Sequence, residues 1–173
     1  FFGPPARPEL QTFGQNGNGS HHSDEVSVTD ETSLSVPLEP ARDLYGGLLF
    51  QGGRFQRLRG YRRLAAKSCL AEVDQGTSAA WFGRYLPQTL VLGDPGAREA
   101  FMHATQACVP DATILPAGIE RITCSAERAD GVLSVAARER SCEGNTYVYD
   151  VEVTDARGEL VERWTGLRLV AVA

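Results

Sequence analysis

Leu92-Gly-Asp-Pro-Gly-Ala-Arg-Glu-Ala-Phe-Met-His-Ala-Thr-Gln-Ala-Cys-Val-Pro110 is the stretch on which the fold of this chain turns. Asp94 is a natural N-cap, because its carboxylate accepts a hydrogen bond from a free amide in the first helical turn. Pro95 suits the first helical position, where a missing N–H costs nothing. The spacing predicts a helix from Pro95 to about Val109, stopped by Pro110. Ala100, Phe101, Ala104, Ala107 and Cys108 recur at helical intervals and give it an apolar face. Glu99 and His103 stand four apart, one above the other on a single side. An acid and an imidazole on a largely apolar helix mark it as the candidate site.

Working outward, the segments on either side differ in texture. Residues 1 to about 25 are rich in Gly, Pro, Asn, Gln and Ser, with too little apolar surface to offset the entropy of ordering. They are expected to be linker or tail, His21 and His22 included. Val26 to Pro37 alternates weakly, as an edge strand would, so the domain proper is expected at 41–173 after a 1–40 tail. Tyr45 to Gln56 is apolar and punctuated by glycine, a turn or short helix. Arg57 to Val73 reads as one or two strands ending at Asp74-Gln75-Gly76. After Pro110 the chain is almost entirely β: Ile114 to Glu127 (interrupted at Pro116 and Gly118), Val132 to Ser141, Tyr147 to Thr154, a turn at Asp155–Gly158, and Glu159 to Val172. One central helix followed by an antiparallel meander is an α+β pattern. It fits a helix wrapped by a sheet, the hotdog arrangement.

The 173 residues suffice for one domain with a core. A net charge of -5 argues against a nucleic-acid groove, which needs a clustered basic surface. The local cluster Arg54, Arg57, Arg59, Arg62, Arg63 and Lys67 is either a solvated strand face or a docking patch for an acidic partner. No apolar run approaches the roughly 20 residues of a membrane span. The opening Phe-Phe-Gly-Pro-Pro has neither signal-peptide character nor an initiator Met, so a piece of a larger cytoplasmic protein is expected. Cys69, Cys108, Cys124 and Cys142 lack metal or redox spacing and are expected to be reduced and mostly buried. At a helix C-terminus the Cys108 thiol is expected to resist ionisation. Asp94 reads as a cap alone, and Tyr45, Phe50, Phe55 and Trp81 as core.

Several short motifs occur in an order that resembles the dehydratase region of polyketide synthases, specifically its C-terminal hotdog half. Leu49-Phe50-Gln51-Gly52-Gly53-Arg54-Phe55-Gln56 is similar to the segment that opens this half. Glu99-Ala-Phe-Met-His103 falls on the family's Asp-x-x-x-Gln/His motif at the start of the central helix. Ile114-Leu115-Pro116-Ala117-Gly118-Ile119 matches the Leu-Pro strand that follows, and Trp164-Thr-Gly166-Leu167 the closing strand. Leu92–Gly96 and Gln106–Pro110 are most similar to the enediyne-type iterative synthases. The resemblance covers about residues 40 to 173.

The resemblance implies two hotdogs side by side. A His of the first takes a proton from C2 of a 3-hydroxyacyl thioester, and an acid of the second helps the C3 hydroxyl leave as water. It implies Glu99 as general acid, with His103 holding it. Gln106, Phe50, Phe55 and Pro116 are implied as substrate contacts. No cofactor is bound directly. The substrate arrives on the phosphopantetheine arm of an acyl carrier protein, and the other partners are the N-terminal hotdog half and further synthase domains, or a second copy in a homodimer. Two departures stand out. The family's Asp is Glu99 here, and a shift of about 1 Å at a reacting group can cost on the order of 10²-fold in rate. The family's base motif, His-x-x-x-Gly-x-x-x-x-Pro, does not occur in this chain. From spacing alone, Glu99 is equally a partner for the helix dipole, His103 a satisfied core histidine, and Gln106 a structural residue. A non-catalytic hotdog scaffold and a hotdog thioesterase are the alternative functions.

Overall fold

The computed structural model describes residues 36–76, 81, 90, 93–125 and 131–172, so the proposed tail up to residue 35 and the stretch before the helix lie largely outside it. In chain order the elements are α1 (Pro40–Asp43), a single 3₁₀ turn at Gly53–Phe55, β1 (Leu58–Ala65), β2 (Ser68–Asp74), α2 (Pro95–Gln106), β3 (Thr113–Gly118), β4 (Arg121–Cys124), β5 (Val132–Glu143), β6 (Thr146–Thr154) and β7 (Leu160–Val172). The strands form one antiparallel sheet in the order β1-β2-β5-β6-β7-β3, and β4 also pairs with β7. None of the described helices is long and apolar enough to cross a membrane.

Helix α2 begins as its sequence dictates. The Asp94 side chain accepts the Ala97 amide at 3.0 Å, with Pro95 at the first helical position. The helix stops three residues short of the expected end. The amides of Cys108 and Val109 bond only three residues back, to Thr105 and Gln106 carbonyls, which tightens the last turn ahead of Pro110. Its buried residues run nearly round the cylinder: Ala97, Ala100, Phe101, His103, Ala104, Thr105 and Gln106. The sheet supplies the wall. On β2, β5 and β6, alternate residues (Cys69, Ala71, Val73; Leu133, Val135, Ala137; Tyr149, Val151, Val153) are buried, as the two-residue strand period requires. The alanines let the sheet come close, and Phe101 meets the Trp164 ring edge-on at 5.8 Å. Tyr61 and Cys69 both donate to the Ala104 carbonyl, at 3.0 and 3.3 Å.

The start of α2 is tied down more heavily than a cap alone would require. Asp94 also accepts from Trp81 Nε1 at 2.9 Å and pairs with Arg57 at 3.4 Å. Arg57 is therefore buried rather than part of a basic surface, and its guanidinium donates to the carbonyls of Arg54 and Gln75. Gly96 allows this approach: a Cβ there would sit 2.6 Å from the Arg54 carbonyl. Arg98 completes the clamp from the other side, reaching the buried Glu162 at 3.0 Å, which also accepts from Trp164 Nε1. The remaining arginines of β1 form exposed cross-strand pairs, Arg59 with Asp74 and Arg62 with Glu72. That part of the cluster is a solvated face.

The expected strand from Ile114 to Glu127 divides into β3 and β4, with the chain turning at Ile119 and Glu120. Both halves use β7 as partner, on either side of Gly166, whose φ of 64° and amide bond to Asp150 mark a bulge. Pro116 is tolerated because β3 is the edge of the sheet. Of the cysteines, all free, Cys69 and Cys108 are buried but Cys124 and Cys142 are exposed, against the expectation of burial. The Cys108 thiol is also easier to ionise than its helix-end position suggests. The adjacent Cys69 thiol is the main cause, while Cys69 itself is pushed up by that same contact and by burial.

Replacing Asp94 by Ala removes a cap and strands the buried Arg57 charge. A loss of about 2 kcal/mol or more in urea unfolding is expected. Asp94→Asn keeps a capping oxygen and is expected to fall between Ala and wild type. A loss under about 0.5 kcal/mol for Ala would show that the clamp does not anchor the helix.

Candidate functional site

The polar groups of α2 turn toward one small cavity of about 30 Å³ beside the open edge strand β3. Glu99 and His103 form its floor, and Leu48, Phe50, Gln51 and Pro116 are among the residues around it. The helix supplies the acid and the imidazole by their four-residue spacing. The glycine-punctuated segment after α1 supplies the residues that contact them. Within that segment Leu49 is buried and Phe50 points out, 76% exposed. Phe50 is therefore not core, as the sequence suggested, but an exposed apolar side chain at the cavity's rim.

Glu99 Oε1 accepts a hydrogen bond from Gln51 Nε2 at 3.0 Å. The same oxygen lies 3.5 Å from His103 Nε2, longer than an ordinary hydrogen bond. On its other side, His103 Nδ1 is 3.2 Å from the Tyr45 hydroxyl, and the two rings meet edge-on. His103 is 4% exposed, and burial holds its pKa below the ordinary histidine value, with the Glu99 carboxylate opposing that shift in part. Burial likewise pushes the Tyr45 phenol up. Among the described residues, Nε2 of His103 and Oε1 of Gln51 are buried without a hydrogen-bond partner. Buried polar atoms left unpaired are costly, and the unpaired Nε2 of His103 faces the Glu99 carboxyl group. The described residues contain no cluster of three metal-ligating side chains.

The remaining candidates separate in space. Pro116 and Gln106 line the cavity with Phe50, but Gln106 has its side chain committed to backbone. Its Nε2 donates to the Val109 and Ala112 carbonyls at 2.9 and 2.7 Å, and its Oε1 accepts the Ile114 amide at 3.1 Å. Gln106 is thus the brace that carries the chain from α2 into β3. Phe55 is not at the cavity. It packs against Trp81 at 5.3 Å, and the Arg54 guanidinium lies over the same indole. Sequence reasoning missed Gln51 and took Tyr45 for plain core. Nothing in the spacing of either signals a contact with a helix some 50 residues later.

Residues 20–173 match the family model described as the polyketide synthase dehydratase N-terminal domain. Comparison with curated proteins gives no match. Among solved structures, the dehydratase domain of RzxB from Pseudomonas fluorescens is 22% identical over 68% of this chain and 42% of its own, with a TM-score of 0.53. GphF dehydratase 1 is 22% identical over 70% of this chain and 45% of its own, TM-score 0.52. An inactive mutant of CurJ dehydratase is 17% identical over 70% and 42%, TM-score 0.54. At such identities the likeness is one of fold, and the fold is the hotdog. The chain spans less than half the length of these dehydratase structures.

Gln106→Leu leaves two carbonyls and an amide without their partner, so a loss of at least about 2 kcal/mol is expected in chemical denaturation. The buried His103 gives a pH signature. Its folded pKa lies below the unfolded value of about 6.5, so below that pH the unfolded chain binds a proton that the folded chain refuses. Stability is therefore lost as pH falls through about 6.5 toward the folded value. Thermal midpoints taken from about pH 7 to about pH 5 are expected to fall more steeply in wild type than in His103→Gln. Equal slopes would mean that the imidazole is not held neutral by burial.

Proposed function

The chain belongs to the polyketide synthase dehydratase family, and we propose that it supplies the acid half of a dehydratase site within a larger synthase. In this reading Glu99 protonates the C3 hydroxyl of a 3-hydroxyacyl thioester as it leaves. The carrying observation is the placement of Glu99: on the central helix, at an apolar cavity by an open sheet edge, oriented by Gln51. The family model is described as the N-terminal domain. We assign the chain to the C-terminal half on its Glu99-x-x-x-His103 and Leu115-Pro116 motifs, which resemble those of that half.

The chemistry requires two groups. A base removes a proton from C2, the C–H electron pair becomes the C2–C3 double bond, and the C3–O bond breaks. Hydroxide is a poor leaving group, so Glu99 delivers its proton to that oxygen and water departs, leaving a 2-enoyl thioester. The described residues hold one histidine, His103, buried against Tyr45 and Glu99. The base then comes from the partner half, across the face on which Phe50, Leu115 and Pro116 are exposed. A cavity of about 30 Å³ holds no acyl chain, so the second half also completes the substrate channel. The thioester would be presented on the phosphopantetheine arm of an acyl carrier protein. An iterative, enediyne-type synthase is the parent suggested by the Leu92–Gly96 and Gln106–Pro110 strings. A second reading, a scaffold hotdog without turnover, draws support from Glu99 standing where the family has Asp.

The test is dehydration of a 3-hydroxyacyl carrier-protein thioester by the complete dehydratase region, followed by mass spectrometry for loss of one water. Glu99→Gln is expected to lower the rate on the order of 10²-fold or more, because it carries no transferable proton. Turnover that survives in Glu99→Gln would remove Glu99 from the acid role. No turnover by the folded wild-type region with a docked carrier would favour the scaffold.

A further inference from the structure

The hydrogen bonds around Tyr45 determine more than its position. The phenol oxygen has one proton to give and two lone pairs to receive with. Three groups surround it: the Leu58 amide at 3.3 Å, the Phe55 carbonyl at 3.3 Å and His103 Nδ1 at 3.2 Å. An amide only donates, so it takes one lone pair. The Phe55 carbonyl only accepts: it takes the Arg57 amide at 3.0 Å and has a second lone pair for the tyrosine proton. What remains for His103 is the second lone pair, and only an N–H can use it.

We propose that Tyr45 is a positioning residue that holds the neutral His103 ring as its Nδ1–H tautomer, turning a bare Nε2 toward Glu99. A bare Nε2 can be satisfied only by a donor. The group facing it is Glu99 Oε1, 3.5 Å away, so this tautomer sets an acceptor, and no competing donor, beside the carboxyl group. Gln51 Nε2 donates to that same oxygen. The groups then stand in one line, from the Gln51 amide to Glu99 Oε1, on to His103 Nε2 at 3.5 Å, and from Nδ1–H through the Tyr45 hydroxyl to the Phe55 carbonyl. With the opposite tautomer, Nε2–H would favour the Glu99 carboxylate, and Nδ1 would compete with Phe55 for the single tyrosine proton. The consequence for catalysis rests on the dehydratase reading of Glu99: a bare Nε2 offers the acid an acceptor that orients it toward the leaving oxygen. The tautomer itself does not depend on that reading.

The experiment is nitrogen-15 NMR of the histidine rings in the whole chain, with the His103 signals identified by their disappearance in His103→Gln. In wild type, Nδ1 is expected at a pyrrole-type shift and Nε2 at a pyridine-type shift. The Nδ1 proton should show an Overhauser contact to the Tyr45 ring protons next to the hydroxyl. In Tyr45→Phe the two shifts are expected to exchange or merge toward a mixture, because the lone pair that fixed the ring is gone. A pyrrole-type Nε2 in wild type overturns the proposal, as does a Tyr45→Phe ring that keeps the wild-type shifts. If Tyr45→Phe does not fold, the wild-type shifts and the Overhauser contact decide the matter alone. These spectra need no turnover. A dehydratase that fails the carrier-protein assay with the Nδ1–H tautomer intact would refute the function and not the positioning, and an active enzyme with the other tautomer the reverse.

Discussion

Burying a helix on nearly every side obliges each of its polar groups to find a partner inside the protein, and that obligation organises this structure. The Ala104 carbonyl, released where the helix tightens, is taken by Tyr61 and Cys69. Gln106 satisfies three backbone groups of the following turn. Thr105 returns its hydroxyl to the Met102 carbonyl. At the other end Asp94, Arg57 and Trp81 neutralise one another around the first free amides. Against this background the unpartnered Nε2 of His103 stands apart, and it faces the one carboxyl group of the helix that remains partly open to solvent.

The same constraint leaves Glu99 at the edge of the fold. The sheet curls around α2 and ends at β3, an edge that carries Pro116 beside the exposed Leu115 and Phe50. Glu99 lies at that end of the barrel-like wrap, not in its sealed middle. A carboxylic acid at the rim of an apolar surface can be reached by a second subunit or domain without disturbing the first core. The Glu99 side chain is one methylene longer than an aspartate, and Gln51 meets its carboxyl oxygen at 3.0 Å.

Much of this was legible in advance. The cap, the helix, its apolar face and the acid–imidazole pair could be read from Asp94 to Pro110 because they depend on local rules: free amides need acceptors, and residues four apart share a side. The strands after Pro110 were visible through their alternation. The helix end was placed late because Pro110 forbids continuation without saying how soon the turn must tighten. The interruption at Gly118 was legible, but not that both halves pair with β7, whose bulge at Gly166 lets two short strands share one long partner.

By itself, then, the sequence determined the helix, the meander and the stacking of Glu99 on His103, since each follows from periodicity and from the chemistry of neighbouring residues. Only the tertiary structure decided that Arg57 is buried against a cap and that Phe50 faces out. It alone brought Tyr45 and Gln51 to the helix from about half a hundred residues away. The physical reason is that local pattern fixes which face of an element is apolar. It does not fix which distant donor or acceptor will be closest when that face is buried. Hydrogen-bond partners of a buried site are chosen by packing, and packing is a property of the whole fold.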